Sequence, residues 1–276
     1  MVEIDTYAKL WSLSAFEKID YNIAANSVYK CISAEYGSCV LKFGNSFNET
    51  QNQYNALIEY NGRHFCKVYK ADINNEVLLL ESIIPGTELR AVPELDKRLE
   101  IFCELFEKLH IKPQDKAIYP TYMDWVSRIT EYIKNRNDYK DLCAKMIHAE
   151  EIFRLIWSEY NNEMLLHGDF HHDNILLGEN NQYRIIDPKG VVGDKVFDIA
   201  RFILNEFGDV SDSAYEKIDY IIRTVAKRLN INESVIRRLL YAEACMAHCW
   251  CVEDGIEPDM NVVMLAERLM RGIFYV

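Results

Sequence analysis

His167-Gly168-Asp169-Phe170-His171-His172-Asp173-Asn174, followed thirteen residues later by Asp187, decides how this chain is read. The run lies between two short apolar stretches, residues 164–166 and 175–177, and a third, 183–186, leads into Asp187. Apolar segments of this length bounded by polar turns read as strands. The intervening Gly178-Glu179-Asn180-Asn181 supplies turn chemistry, so 175–177 and 183–186 form a hairpin that brings Asn174 and Asp187 to one end. A slip of one residue would send one of the two side chains to the opposite face. Phosphoryl transfer asks for such a set: one carboxylate, Asp169, to orient and deprotonate an attacking hydroxyl, and an Asn and an Asp, Asn174 and Asp187, to hold Mg2+ on nucleotide phosphates.

Working outward, residues 16–84 read as short strands. Residues 27–34 alternate through Val28, Tyr29 and Ile32, residues 39–43 are apolar around Lys42, and residues 76–84 are nearly continuous Val, Leu and Ile. Between them, residues 45–61 predict one inserted helix, with Ser46-Phe47-Asn48-Glu49 as its capping box and an apolar face of Phe47, Tyr54, Leu57 and Ile58. After Pro85-Gly86 the period changes. Leu95, Leu99, Phe102, Phe106 and Leu109 recur at helical spacing, as do Ile221, Val225 and Leu229, and 235–252 is a long, mostly apolar helix. The polar stretch 134–141 reads as a loop. The expectation is an α+β chain, β-rich over residues 1–84 and helical over 85–276, with Pro85-Gly86 as hinge and the catalytic hairpin as the one β element of the second part.

Composition narrows the function classes. With 276 residues and 49% hydrophobic content, the chain can bury a large core or two packed lobes. No stretch approaches the roughly 18 apolar residues of a membrane span, and no secretory leader pattern opens the sequence. The eight cysteines are irregularly spaced without a Cys-x-x-Cys pair, which fits reduced thiols in the cytoplasm. A formal charge of −12 argues against a surface that tracks nucleic acid or anionic lipid. Such a field would draw in a cationic substrate, although it serves solubility equally well.

The His-Gly-Asp-x-His-x-x-Asn run with the strand ending at Asp187 resembles the active site of the aminoglycoside phosphotransferases, bilobal relatives of the protein kinases. The segment Asp187-Pro188-Lys189-Gly190-Val191-Val192-Gly193-Asp194, with Phe197-Asp198-Ile199-Ala200 after it, resembles the branch that includes streptomycin 6-phosphotransferases and hydroxyurea phosphotransferases. So does Trp250-Cys251-Val252-Glu253-Asp254-Gly255 near the end. The resemblance implies a protein-kinase-like fold with a nucleotide-binding N-terminal lobe (1–84) and a helical C-terminal lobe (85–276). It implies an ATP-dependent kinase that moves the γ-phosphate to a hydroxyl of a small, cationic acceptor such as streptomycin, with Mg2+ as cofactor. A sugar or amino-alcohol kinase of the same fold is the alternative.

Carried over residue by residue, the resemblance makes Asp169 the catalytic base and Asn174 and Asp187 the metal ligands. His167, His171 and Asp198 support the loop. Lys42, in Val40-Leu41-Lys42-Phe43, would neutralise the nucleotide phosphates. Without the downstream motif it would read as an edge-strand lysine that discourages aggregation. The carboxylate expected to pair with Lys42 falls near Gln53; either Glu49 serves from a shifted position or the pair is missing. Residues 22–30 contain no glycine, unlike a protein-kinase phosphate flap, and leave Asn26 and Ser27 as phosphate contacts. The Glu81 carbonyl and Ile83 amide would meet the adenine edge. Lys189, Asp194, Glu253 and Asp254, with Glu243 upstream, are the candidates for phosphate or acceptor contact.

Three other readings compete. His167, His171, His172 and Asp173 form a cluster of metal-ligand types, but the adjacent histidines point in different directions in most backbones. Cys245, His248, Cys249 and Cys251 read better as a buried helix face. A non-catalytic relative would be expected to have lost at least one of Lys42, Asp169, Asn174 and Asp187.

Overall fold

The computed structural model describes residues 4–19, 27–208 and 212–272, which divide into two compact units. The first holds the described residues up to Ala91 together with Asp173–Gly190; the second holds Val92–His172 and the described residues from Val191 onward.

The first unit opens with helix α1 (Ile4–Leu10), then β1 (Leu13–Ile19), β2 (Ser27–Ser33) and β3 (Gly37–Phe43). Helix α2 (Phe47–Tyr60) is inserted before β4 (Val68–Asp72) and β5 (Val77–Glu81), and the five strands form an antiparallel sheet in the order β1-β2-β3-β5-β4. Alternation in β3 decides which side chain goes where. Cys39 and Leu41 are fully buried among Cys31, Val77, Leu79 and the rings of Tyr7 on α1 and Trp11 just after it, so Val40 and Lys42, which alternate with them, project from the opposite face. Each fully buried aliphatic side chain contributes roughly 2 kcal/mol, which fixes the register that pairs Lys42 with Leu78. In β5, Val77, Leu78, Leu79 and Leu80 are all buried, because both faces of that strand are covered. This is why its sequence runs apolar without alternating.

Helix α2 begins where expected: the Ser46 hydroxyl accepts from the Glu49 amide, and Asn61 closes it in the left-handed region. Its inward face differs from the expectation. Thr50, Gln53, Ala56, Leu57 and Tyr60 are buried, whereas Phe47 and Ile58 are about half exposed. Hydrophobicity alone assigns Phe47 and Ile58 to the inside. The helix instead turns two polar side chains, Thr50 and Gln53, inward, and a β-carbon at Gly44 would lie 2.1 Å from the Thr50 hydroxyl. A short strand β6 (Thr87–Glu88) ends this part of the unit.

The second unit begins with α3 (Leu95–Leu109), α4 (Tyr122–Lys134) and α5 (Lys140–Glu159), then β7 (Met164–Leu166). The polar stretch read as a loop separates α4 from α5. Thr121 and Asp124 make a reciprocal capping box at the start of α4. The chain then supplies the first unit with β8 (Ile175–Leu177) and β9 (Tyr183–Ile185), paired Ile175 to Ile185 and Leu177 to Tyr183, with β6 on the outer edge of β8. It returns to the second unit with β10 (Val191–Gly193), α6 (Ile199–Leu204), α7 (Asp212–Leu229), α8 (Glu233–Glu253) and α9 (Met260–Arg271).

The expectation of a single β element after Pro85-Gly86 is therefore incomplete. β7 pairs with β10, Leu166 opposite Val191, in a two-stranded ribbon of its own. A three-residue Val-Val-Gly strand is too short to leave a period in the sequence. Cys245 and Cys249 are fully buried on α8, and all eight cysteines are free. Among the described residues no helix is long and apolar enough to cross a membrane.

Candidate active site

In the first unit the hairpin does what its spacing requires. The Ile186 amide donates to the Asn174 carbonyl at 3.0 Å, so Asn174 and Asp187 flank the open end of the β8–β9 pair. Asp187 sits in the left-handed region at φ 57°, a conformation that Asp tolerates better than most residues because its short polar side chain bonds locally. Its carboxylate receives three donors. Lys42 and the Gln53 amide reach Oδ1, and Lys189 reaches Oδ2 at 3.0 Å. Burial alone would raise the Asp187 carboxyl; the Lys189 and Lys42 ammonium groups beside it hold it well below the ordinary carboxylate range.

Lys42, Thr50, Gln53, Asp187 and Lys189 line one small cavity, and Glu49 lines it too. The lysine nevertheless turns to Asp187, not to Glu49. The Gln53 amide donates to Asp187 directly. Close packing holds the two elements together: Gly190 has φ 65°, and a β-carbon there would meet the Asn52 carbonyl of α2 at 2.6 Å. Asn174 is nearly buried, and its amide oxygen together with the Asp187 carboxylate is a hard oxygen donor set of the kind Mg2+ takes alongside phosphate and water. Among the described residues no group of three His, Cys, Asp or Glu is arranged to hold a metal ion.

The remaining nucleotide candidates of this unit lie on the sheet. Ser27 opens β2 opposite Phe43, and residues 22–26 fall outside the described residues. Glu81 ends β5; its carboxylate accepts from the Lys67 amide at 3.0 Å and from Arg184 at 3.2 Å, and its amide donates to the Lys67 carbonyl. Ile83, two residues on, is half-buried and lies against the position of Gly178 in the hairpin turn.

In the second unit the loop around Asp169 is fixed from beneath. The fully buried Asp198 carboxylate accepts from the backbone amides of His167 and Gly168 at 2.9 and 2.8 Å, and His110 Nε2 lies 2.9 Å away. Buried backbone donors that the strand ladder leaves over are thereby satisfied. Both ring nitrogens of His110 face oxygen atoms, the other being the Phe106 carbonyl at 3.1 Å. His167 Nδ1 accepts from the Asp169 amide at 3.1 Å. Gly168 has φ 80°, and Trp125 stands 2.7 Å from where a β-carbon would be, so only glycine fits.

Two side chains flank the Asp169 carboxylate. Arg201 Nε lies 3.4 Å from Oδ1 and His171 Nε2 lies 3.6 Å from Oδ2. Arg201 and His110 carry no motif of their own; the one trace of Arg201 is a charged residue inside the apolar run Ile199-Ala200-Arg201-Phe202-Ile203-Leu204. His172 stacks on Phe202 and bonds Glu206 at 2.8 Å, so His167 meets the Asp169 backbone, His171 the Asp169 carboxylate and His172 a different residue.

The acidic acceptor candidates do not converge. Glu243 is buried against Arg201 and the Tyr122 hydroxyl. Asp194 is buried as the cap of the 3-10 turn Lys195–Asp198 and also accepts from the Asn162 amide. Glu253 forms a two-pronged ion pair with Arg128 at 2.6 and 2.9 Å, and Asp254 is an exposed residue at the end of α8.

Comparison with known proteins gives one consistent result. The profile of a family described as aminoglycoside/hydroxyurea antibiotic resistance kinase matches residues 21–255. Streptomycin 6-kinase of Streptomyces griseus is 22% identical over 261 residues, 90% of this chain and 82% of its own. Streptomycin 3''-kinase of Klebsiella pneumoniae is 22% identical over 236 residues, 79% and 84% of the two chains. Among solved structures, a thermostable mutant of aminoglycoside phosphotransferase APH(4)-Ia with ADP and hygromycin B superposes at TM-score 0.69 with 13% identity, covering 99% of each chain. A choline kinase from Streptococcus pneumoniae superposes at TM-score 0.64 with 13% identity, covering 97% and 96%. At such identities the structural likeness shows the fold, which is protein-kinase-like.

Proposed function

We propose that this chain, which belongs to the aminoglycoside/hydroxyurea antibiotic resistance kinase family, moves the γ-phosphate of ATP to a hydroxyl of streptomycin or a similar aminoglycoside in the cytoplasm. It is a kinase that acts on a small-molecule hydroxyl and uses a nucleotide. The observation that carries the finer reading is the clustering of Lys42, Asp187 and Lys189 around one cavity at the open end of the hairpin. Two lysines gathered on one partly buried carboxylate form a site ready to exchange that contact for phosphate oxygens and a cation.

In this reading residues 1–84 carry the nucleotide side and residues 85–276 the acceptor side. Lys42 and Lys189 neutralise phosphate charge, and Ser27, Glu49, Glu81 and Ile83 frame the nucleotide. Asn174 and Asp187 would hold Mg2+, which supplies charge neutralisation on the phosphates when bound. Asp169 orients the acceptor hydroxyl and takes its proton as the new O–P bond forms. Asp198, His167 and His171 keep the Asp169 loop in shape, so most of the rate comes from positioning. Glu253, Asp254 and Asp194 are the proposed carboxylates for a cationic acceptor, with Glu253 required to leave Arg128 before it can serve.

The test is a phosphotransfer screen with ATP and Mg2+ against streptomycin, hygromycin B, hydroxyurea, choline and ethanolamine, read by mass spectrometry of the acceptor. Phosphorylated streptomycin is the expected product, and Asp169→Asn is expected to lower turnover by about 1,000-fold. Efficient turnover of choline or ethanolamine without any aminoglycoside product would replace this reading by the metabolic one.

A further inference from the structure

We propose that Arg201 is a positioning residue for Asp169: paired with the buried Glu243, its guanidinium holds the Asp169 carboxylate in one orientation by its charge. The inference rests on the reading of Asp169 as the base.

Arg201 lies on α6, whose other inward residues, Ile199, Ala200, Phe202 and Ile203, are buried and apolar. Its Nη2 stands 2.8 Å from Glu243 Oε1 and its Nε 3.4 Å from Asp169 Oδ1, ion pairs whose angles fall outside hydrogen-bond geometry. A guanidinium offers donors in a rigid planar fork, so one cation spans both carboxylates, which an ammonium on a flexible stem does not do as well. Glu243 stands in the middle of α8, 1% exposed, and is itself held by the Tyr122 hydroxyl, which donates to Oε2 at 2.7 Å. Trp250 lies 5.2 Å from the guanidinium and stands edge-on to Trp125. Trp125 closes on Gly168, the residue before Asp169.

Stability does not account for this arrangement. Taking an arginine and a glutamate out of water is costly, and a buried ion pair replaced by apolar groups of similar size is often no less stable. What the pair does supply is a fixed cation beside a carboxylate that must keep one orientation. Burial works against the charge on Arg201, but Glu243 and Asp169 beside it hold its pKa above the ordinary value. Burial likewise pushes the Glu243 carboxyl up, with Arg201 and the Tyr122 hydroxyl pulling it down.

The decisive variant removes both buried charges together, Arg201→Gln with Glu243→Gln, so that neither is left unpaired. With the base free to rotate, kcat is expected to fall about 100-fold while KM for ATP and for the acceptor stays within about twofold. Arg201→Lys keeps the charge without the fork and is expected to fall about tenfold. In an Asp169→Asn background the double change is expected to lower residual turnover less than about threefold, because residues acting through one group are not additive. A kcat within about threefold of wild type for the double variant overturns the inference while Asp169→Asn remains inactive. Full activity of Asp169→Asn instead removes the reading beneath it. Should the double variant fail to fold by circular dichroism, Arg201→Lys decides alone, and a kcat within about twofold of wild type overturns the proposal.

Discussion

Asp187 shows how much a single position can concentrate: a left-handed backbone, two lysines and a glutamine amide all meet at one carboxylate. Lys42 is the member that should matter to chemistry more than to folding. Lys42→Met leaves Asp187 with Lys189 and Gln53, so the melting temperature is expected to move by less than about 3 °C. Nucleotide turnover, measured as kcat/KM for ATP, is expected to fall about 100-fold, as befits a charge that acts on phosphates. A variant that loses stability and keeps turnover would assign Lys42 to the scaffold. The placement of Asn174 and Asp187 at one end of the hairpin was legible in its spacing, whereas the parts given to Lys42 and Asp169 drew on the family resemblance. Gln53, His110 and Arg201 were not legible. Each is a polar residue on or at the end of a helix, where solvent is the default location, and only the packed structure separates a buried partner from an exposed one.

The elements were legible in proportion to their periodicity. Helices α3 and α8 and the strand β3 follow their hydrophobic patterns closely, whereas β2 buries Cys31 and Ser33 and exposes Ile32. Helix α2 was placed correctly along the chain; of its expected inner face Leu57 is buried but Phe47 and Ile58 are about half exposed, with Thr50 and Gln53 turned inward instead. Its contact with the segment after Asp187 gives a quantitative expectation. Gly190→Ala must place a left-handed alanine against the Asn52 carbonyl, whereas Gly255→Ala, at φ 75°, meets nothing within 4 Å. Strain common to both costs about 1–2 kcal/mol. Gly190→Ala is expected to lose a further ~2 kcal/mol for the displaced backbone of α2. Urea unfolding of the two variants measures the difference, and equal losses would mean that α2 yields without cost.

Across the whole molecule, 43 acidic residues against 31 basic ones make acid the informative perturbation. The buried Glu206 organises the second unit: Arg98 on α3 grips it through two bonds, His172 donates from the Asp169 loop, and Lys217 on α7 pairs with it at 2.9 Å. Burial pushes this carboxyl up, but His172, Arg98 and Lys217 together hold it far below the ordinary value. A carboxyl whose folded pKa lies below its unfolded value of about 4.3 contributes its full stability above that pH and loses it as the pH falls. Glu243, pushed up by burial, runs the other way and gains on acidification. The two are separable by substitution. Glu206→Gln is expected to lose about 3 kcal/mol at pH 7, since three cationic or hydrogen-bonding partners are left without their charge. That gap should narrow as the pH falls below about 4, where the carboxyl of the unfolded chain takes up its proton while the folded one stays charged. Urea midpoints for both proteins at pH 7, 5 and 3.5 test this. A gap that stays constant across the series would mean that Glu206 acts by shape and hydrogen bonding, and that its charge does not hold α3, α7 and the Asp169 loop together.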